Sequence, residues 1–156
     1  MRVVVRWARD SDLPRAAEIL EKSFTGSYRY WSLRLLNVLD VLVAEADGVV
    51  AGVAEVYVTR AKGYGRLGVI GFVAVDPAYR RRGIGRRLIQ AAEEYFVEQG
   101  CKYSAASTRR DNAASISLFS SLGYRVYERG SRVFEELEAP LYAYEDDVVF
   151  LKSLQE

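Results

Sequence analysis

The chain has 156 residues, half of them hydrophobic and 28% charged, the length and composition of one folded domain with a substantial apolar core. Histidine is absent and Cys101 is the single cysteine, which excludes imidazole triads, imidazole or cysteine-cluster metal sites and an internal disulfide. The net charge of +1 gives no overall argument for nucleic acid or a membrane as partner.

No apolar run approaches the roughly 20 residues that cross a bilayer. The opening Met-Arg-Val-Val-Val-Arg-Trp turns charged early and lacks a signal-peptide cleavage pattern, so the expected location is the cytoplasm. Residues 2 to 7 alternate weakly and predict a first strand. Asp10 or Ser11 is expected to cap a helix presenting Leu13, Ala16, Ala17, Leu20 and Phe24 on one face, with Pro14 tolerated in its first turn. Tyr28 to Val38 predicts a second, shorter helix. Val41 to Ala46 reads as a strand, Asp47-Gly48 as a hairpin turn and Val49 to Thr59 as the returning strand. Ala61 to Arg66 connects to a strand ending at Val75. Ile84, Leu88, Ala92 and Phe96 mark one face of the next helix, which stops at Gly100. Cys101 to Thr108 predicts a strand, Asn112 to Leu122 a helix stopped by Gly123, and two strands follow near Tyr124 to Glu135 and Tyr142 to Leu151. The chain shows no linker, internal repeat or low-complexity stretch.

The segment from Gly68 to Arg87, GVIGFVAVDPAYRRRGIGRR, carries the most chemistry. An apolar strand runs into a turn, then a basic, glycine-bearing loop, then a helix N-terminus. The first turn of a helix leaves N–H groups without partners, and its dipole favours negative charge there. Glycine lets the main chain approach a phosphate with no Cβ in the way. There is no Gly-x-x-x-x-Gly-Lys-Ser/Thr loop, and no third glycine follows Gly85 at the dinucleotide-fold spacing. What stands at residues 75 to 85 is Val-Asp-Pro-x-x-Arg-x-x-Gly-x-Gly.

That motif resembles the acetyl-CoA-binding motif of the GCN5-related N-acetyltransferase (GNAT) superfamily. The order β-α-α-β-β-β-α-β-α-β-β is also similar to that superfamily's, so the resemblance covers the whole chain. It extends to the opening, Arg6-Trp7-Ala8-Arg9-Asp10-Ser11-Asp12, and to the end, Val149-Phe150-Leu151-Lys152. The implied fold is a mixed α/β GNAT fold, one domain over residues 1–156. Its central sheet is mostly antiparallel and splayed at a cofactor cleft, with helices on both faces. The resemblance implies acetyl-CoA or coenzyme A as cofactor. Main-chain N–H groups from Arg81 through Arg82, Gly83, Ile84 and Gly85 to Arg86 would hold the pyrophosphate, with Arg80 beside them. Backbone groups on the strand Val73-Ala74-Val75 would pair with the pantetheine amides as an added strand does.

Asn112 opens Asn112-Ala113-Ala114-Ser115-Ile116-Ser117-Leu118-Phe119-Ser120-Ser121-Leu122-Gly123-Tyr124, which resembles the superfamily's second cofactor-binding motif. A helix N-cap and a polar contact to the cofactor are compatible roles for Asn112. The usual tyrosine of that motif, which protonates the leaving thiolate, stands here as Phe119, which can line the cofactor but has no proton to give. Ser120, Tyr124 and Tyr127 are nearby donors. The strand Gly68 to Val75 lacks the glutamate many relatives place there. Some protein N-terminal acetyltransferases carry one five positions before the motif asparagine, where this chain has Ser107. Glu55, on the otherwise apolar strand that begins at Val49, is the remaining candidate base, because burial would raise its pKa toward neutrality. The alternative is a strand carboxylate paired to arginine or facing solvent. Tyr57 lies on the same face at i+2. Tyr28, Tyr30, Trp31 and Tyr64 could clamp an amine, or could serve as core or interface.

These expectations amount to an N-acetyltransferase acting on a primary amine (protein N-terminus, lysine or small molecule) by direct attack in a ternary complex. Homodimers are common in the superfamily, although no segment here specifies one. Two other readings stay open from the residues: an acyl-CoA-binding sensor or partner-binding module without catalysis, and a basic RNA-binding module.

Overall fold

A computed structural model describes residues 1–155. Among these residues seven strands form one sheet in the order β1-β2-β3-β4-β5-β7-β6. The strands are β1 (Val3–Trp7), β2 (Asp40–Ala46), β3 (Val49–Ala61), β4 (Gly65–Val75), β5 (Tyr103–Thr108), β6 (Arg125–Glu128) and β7 (Val148–Ser153). The helices are α1 (Leu13–Ser23), α2 (Gly26–Leu35), α3 (Ile84–Glu98), α4 (Ala113–Ser121) and α5 (Arg132–Leu141). The β4–β5 pairing is parallel, whereas β1–β2, β2–β3, β5–β7 and β6–β7 pair antiparallel. The mixed, mostly antiparallel architecture is the one the sequence implies. The chain forms two compact units, residues 1–57 with 72–92, and residues 58–71 with 93 onward.

In the first unit, β2 and β3 meet at Asp47 and Gly48, both at positive φ (50° and 83°), the twist that a two-residue hairpin needs. Helix α1 buries Ala16, Ile19 and Leu20, the i, i+3, i+4 stripe of an amphipathic helix, against Val41, Val43, Val53 and Ala74. Neighbouring Gly52 points the other way, toward Ile84 and Leu88 of α3, so helices cover both faces of β3 here. The start of α1 differs from expectation. Asp10–Asp12 forms a 3-10 turn, and Asp12 is the N-cap without a capping bond. Its carboxylate instead takes Arg6 Nη1 at 2.7 Å and the Arg9 N–H at 2.7 Å, which hold its pKa down at about 2. Arg6 also reaches Glu45 at 2.9 Å, tying β1 to β2.

In the second unit, β7 is buried on both faces, which is why Val148-Val149-Phe150-Leu151 reads as an unbroken apolar run. The β4–β5 pairing joins Leu67 to Tyr103 and Val69 to Ala105, while β5 stays paired to β7 as far as Thr108 opposite Val148.

The last third corrects the sequence reading. The strand expected near Tyr124 to Glu135 ends at Glu128, and α5 occupies Arg132–Leu141. Ser131 caps α5 by accepting the Phe134 N–H, and Phe134, Leu137 and Leu141 are buried at helical spacing. Tyr142 ends it in a left-handed conformation at φ 53°, so the final strand begins at Val148 rather than Tyr142. Arg129 secures this connection through the carbonyls of Ala143, Tyr144 and Asp146, through Glu138, and by lying over the Phe134 ring at 4.6 Å.

Candidate active site

The first unit holds the strand, basic loop and helix start that stand out in the sequence. Strand β4 ends at Val75, and the Asp76 N–H donates to Ala51 O at 2.8 Å. The Asp76 side chain is buried. It accepts the Ala78 N–H at 2.9 Å and pairs with Arg15, and these two contacts lower its pKa. That carboxylate pins the turn Pro77–Tyr79, and Arg80 Nε bonds back to Val75 O at 3.1 Å. The loop then alternates in handedness. Arg81 lies at φ 64° and Gly83 at φ 78°, with Arg82 between them on the ordinary side. Alternation of this kind turns successive N–H groups toward one point and makes an anion-binding concavity. Arginine is an uncommon residue for the left-handed region, and such conformations cluster at ligand clamps.

Ile84 is 1% exposed and anchors the first turn of α3, while the Arg80, Arg81, Arg82, Gly83 and Arg86 positions are exposed. A Cβ added at Gly83 would enter open space, with no protein atom within 4 Å. The first helical bond runs from the Arg87 N–H to Gly83 O at 3.1 Å. The N–H groups of Ile84, Gly85 and Arg86 are those a helix start leaves without an intrahelical acceptor. The site therefore fits a phosphate ester on two counts, the loop geometry and the helix terminus. Val73, Ala74 and Val75 lead into it along β4.

Sequence reasoning missed Gly52. A side chain there would meet Ile84 Cγ2 and Leu88 Cδ1 at 3.0 Å, so glycine is what allows α3 to lie against β3. A glycine inside an apolar strand was the available signal.

Glu55 lies on β3 with 0% exposure, and neither carboxylate oxygen has a hydrogen-bond partner among the described residues. Burial pushes its pKa up to about 8. The alternative of an arginine-paired or solvent-facing carboxylate is not what this environment presents. Tyr57, two residues on, is half-buried. Tyr30 and Trp31, by contrast, stand on the surface of α2 at 55% and 47% exposure, packed edge to face.

In the second unit, Asn112 is the N-cap of α4. Its Oδ1 accepts the Ser115 N–H at 3.1 Å and its Nδ2 donates to Thr108 Oγ1 at 3.1 Å, joining the helix start to the end of β5. Phe119 is 2% exposed, stacked on Phe150 at 4.6 Å and edge-on to Tyr124 at 5.0 Å. Of the nearby donors, Tyr124 is buried and committed: its hydroxyl donates to Glu93 Oε2 at 2.7 Å and lies 2.7 Å from Ser104 Oγ. Lys152 holds the same Glu93 at 3.1 Å. Burial and the Glu93 charge keep the Tyr124 proton on, well above the usual phenol range. Ser120 is exposed and Tyr127 half-buried. Ser107 donates to Asp146 Oδ2 at 2.6 Å. Tyr64 packs edge-on to Tyr103 and donates to Glu136 at 2.9 Å, with its pKa raised to about 12, by burial first.

Residues 4–124 match the model of the Acetyltransferase (GNAT) family. The Arabidopsis thaliana protein named "Probable N-acetyltransferase HLS1-like" is 37% identical over 82 residues, which are 52% of this chain and 19% of that protein. An acetyltransferase of Sodalis glossinidius is 34% identical over 102 residues, 62% of this chain and 68% of that one. Among solved structures, the PaiA N-acetyltransferase of Thermoplasma acidophilum in complex with coenzyme A has a TM-score of 0.73 at 19% identity, over 98% of this chain and 99% of its own. The chain spans about a fifth of the length of the two Arabidopsis thaliana relatives it matches. Its phosphate-fitting loop and its sheet order occur together in a chain that belongs to the Acetyltransferase (GNAT) family.

Proposed function

We propose that residues 1–156 act as one N-acetyltransferase domain that moves an acetyl group from acetyl-CoA to a primary amine. The observation that carries this reading is the alternating-handed loop Arg81–Gly83 opening α3, in a chain of the Acetyltransferase (GNAT) family. The N–H groups from Arg81 to Arg86 would receive the pyrophosphate, and main-chain groups of Val73 and Val75 would orient the pantetheine arm. Acetyl-CoA supplies an acyl group already activated as a thioester. The chain's own task is to hold the amine beside it and remove a proton. Holding two reactants in register can supply about 7–11 kcal/mol of the barrier reduction. Glu55 is the proposed base: a carboxylate titrating near 8 can take a proton from an ammonium at neutral to mildly alkaline pH. Support for acetyl-CoA also comes from the Thermoplasma acidophilum protein, crystallised with coenzyme A.

A second reading keeps the cofactor and drops the chemistry. Phe119 has no proton to give and the Tyr124 phenol is committed to Glu93, which favours an acyl-CoA-binding module. Calorimetric titration of acetyl-CoA into wild type and Gly83→Glu tests the shared part. Binding at 1:1 that the variant loses is the expected result, and no binding to wild type sinks both readings. Thiol release over a panel of amines then separates them, because the module predicts binding without turnover.

A further inference from the structure

Among the described residues Glu55 is the buried carboxylate with both oxygens unpartnered. Its neighbours follow from strand alternation. Val53 on β3 and Ala74 on β4 pack in the same cluster beneath α1. β3 and β4 are adjacent strands of one hairpin, so moving two residues forward from Val53 and two back from Ala74 runs in the same direction. That step places Glu55 and Phe72 on one face of neighbouring strands.

Phe72 is the centre of an aromatic cluster. Its ring lies 5.5 Å from Phe24 and 6.2 Å from Tyr28, and those two rings lie 6.2 Å apart, all near edge-to-face. All three are half-buried, whereas Glu55 is sealed. An amine that approaches the carboxylate from this face meets these rings first. The turn that carries Phe24 and Tyr28 includes the exposed Thr25 and Gly26.

Charge on α1 and on the strands beneath it points to the class of acceptor. Asp12 and Glu45 already hold Arg6, Asp76 holds Arg15, and Glu18 holds Arg15 and Lys22. A polycation would be matched by several carboxylates, and along β3 and β4 the one acidic residue is Glu55. A single ammonium on an apolar body matches one carboxylate flanked by ring faces, since rings attract cations and pack against apolar carbon. We infer that the acceptor is a monoamine with an aromatic or apolar body, whose ammonium is received by Glu55 among Phe24, Tyr28 and Phe72. The inference rests on the transferase reading and specifies its substrate.

The test uses the full chain with 2-phenylethylamine and spermidine as probes. Amine binding is read by calorimetry in the presence of coenzyme A, and turnover by thiol release from acetyl-CoA. The expected result is kcat/KM at least about tenfold higher for 2-phenylethylamine. Tyr28→Ala should raise KM and the amine Kd for that probe several-fold, while acetyl-CoA binding stays unchanged and Tyr28→Phe restores wild-type values. Spermidine used as well or better overturns the assignment of acceptor class and leaves the transferase reading standing. Turnover of neither probe, with acetyl-CoA still bound, also overturns it. Loss of acetyl-CoA binding by the wild type removes the transferase reading itself.

Discussion

At the scale of single residues, Glu55 makes the sharpest demand. A carboxyl group held with no partner is costly to ionise, so the folded chain retains a proton up to about pH 8 that the unfolded chain releases near the ordinary glutamate pKa. Within that window the unfolded state binds fewer protons than the folded state, and stability falls as pH rises. Glu55→Gln should remove this slope. Its melting temperature should match wild type near pH 5 and exceed it near about pH 9, measured by thermal unfolding at both. The same variant should lose roughly a hundredfold or more in kcat/KM if the carboxylate takes the amine's proton, and wild-type activity should rise through about pH 8 as the carboxylate forms. A variant more stable in alkali yet fully active would leave Glu55 a buried structural oddity and end its role as base.

The two glycines Gly83 and Gly68 separate two kinds of constraint at the same scale. Gly83 has open space where a Cβ would go but sits at φ 78°, so Gly83→Ala is opposed by the backbone alone, at about 1 kcal/mol. Gly68 has an ordinary φ, but a Cβ there would overlap the Cγ, Cδ1 and Cδ2 atoms of the Phe96 ring. Gly68→Ala should cost about 1–3 kcal/mol by overpacking, visible in urea denaturation, and pairing it with Phe96→Leu should recover part of that loss. Simple additivity of the two costs would show that the ring does not rest on Gly68.

At the scale of elements, what could be read from the sequence follows how local the determining interactions are. The hairpin at Asp47-Gly48, the stripe of α1 and the loop Arg80–Arg86 are written in adjacent residues, so spacing and turn chemistry were enough. Asn112 as an N-cap was legible for the same reason. Helix α5 was not read: Val133 and Phe134 beside Tyr127 suggest a strand, and only the Ser131 cap and the Phe134, Leu137, Leu141 spacing betray a helix. The start of α1 failed differently. Asp12 was free to cap, but Arg6 and the Arg9 N–H compete for its carboxylate, and their proximity depends on β1 being in place. That competition predicts that Asp12→Asn, whose one amide oxygen can still accept from Arg6 Nη1 and the Arg9 N–H while the bond from Arg6 Nη2 and the charge are lost, destabilises less than Asp12→Ala. Asp12→Asn should also reduce the acid loss of stability, leaving the share due to Asp76: Asp12 titrates at about 2 when folded, so its contribution, present above the ordinary aspartate pKa, fades as pH falls toward 2.

At the scale of the whole molecule, the partners that complete the candidate site are far apart in the chain, and distance in sequence hides them. Arg15 on α1 supports Asp76, which holds the turn before the loop; Phe72 meets rings from the α1–α2 corner; Gly52 admits α3. None of these pairs has a local signature, yet Arg15 with Asp76 and Gly52 with Ile84 support the turn and the helix start on either side of the loop. A ligand received there should therefore stabilise more than the loop. Because binding to the folded state alone adds stability by mass action, acetyl-CoA at about 100 times its Kd should contribute about 2.7 kcal/mol. For a chain of this length that is a rise of roughly 5–10 °C in melting temperature. Gly83→Glu should show none of the rise. Arg15→Ala should show a reduced one, since it leaves the loop's N–H groups intact but removes the nearer of the two cations on Asp76, leaving Lys22 at 3.9 Å. An undiminished shift in Arg15→Ala would mean that the loop holds its shape unaided, and that the Arg15–Asp76 pair serves only to pack α1 against the sheet.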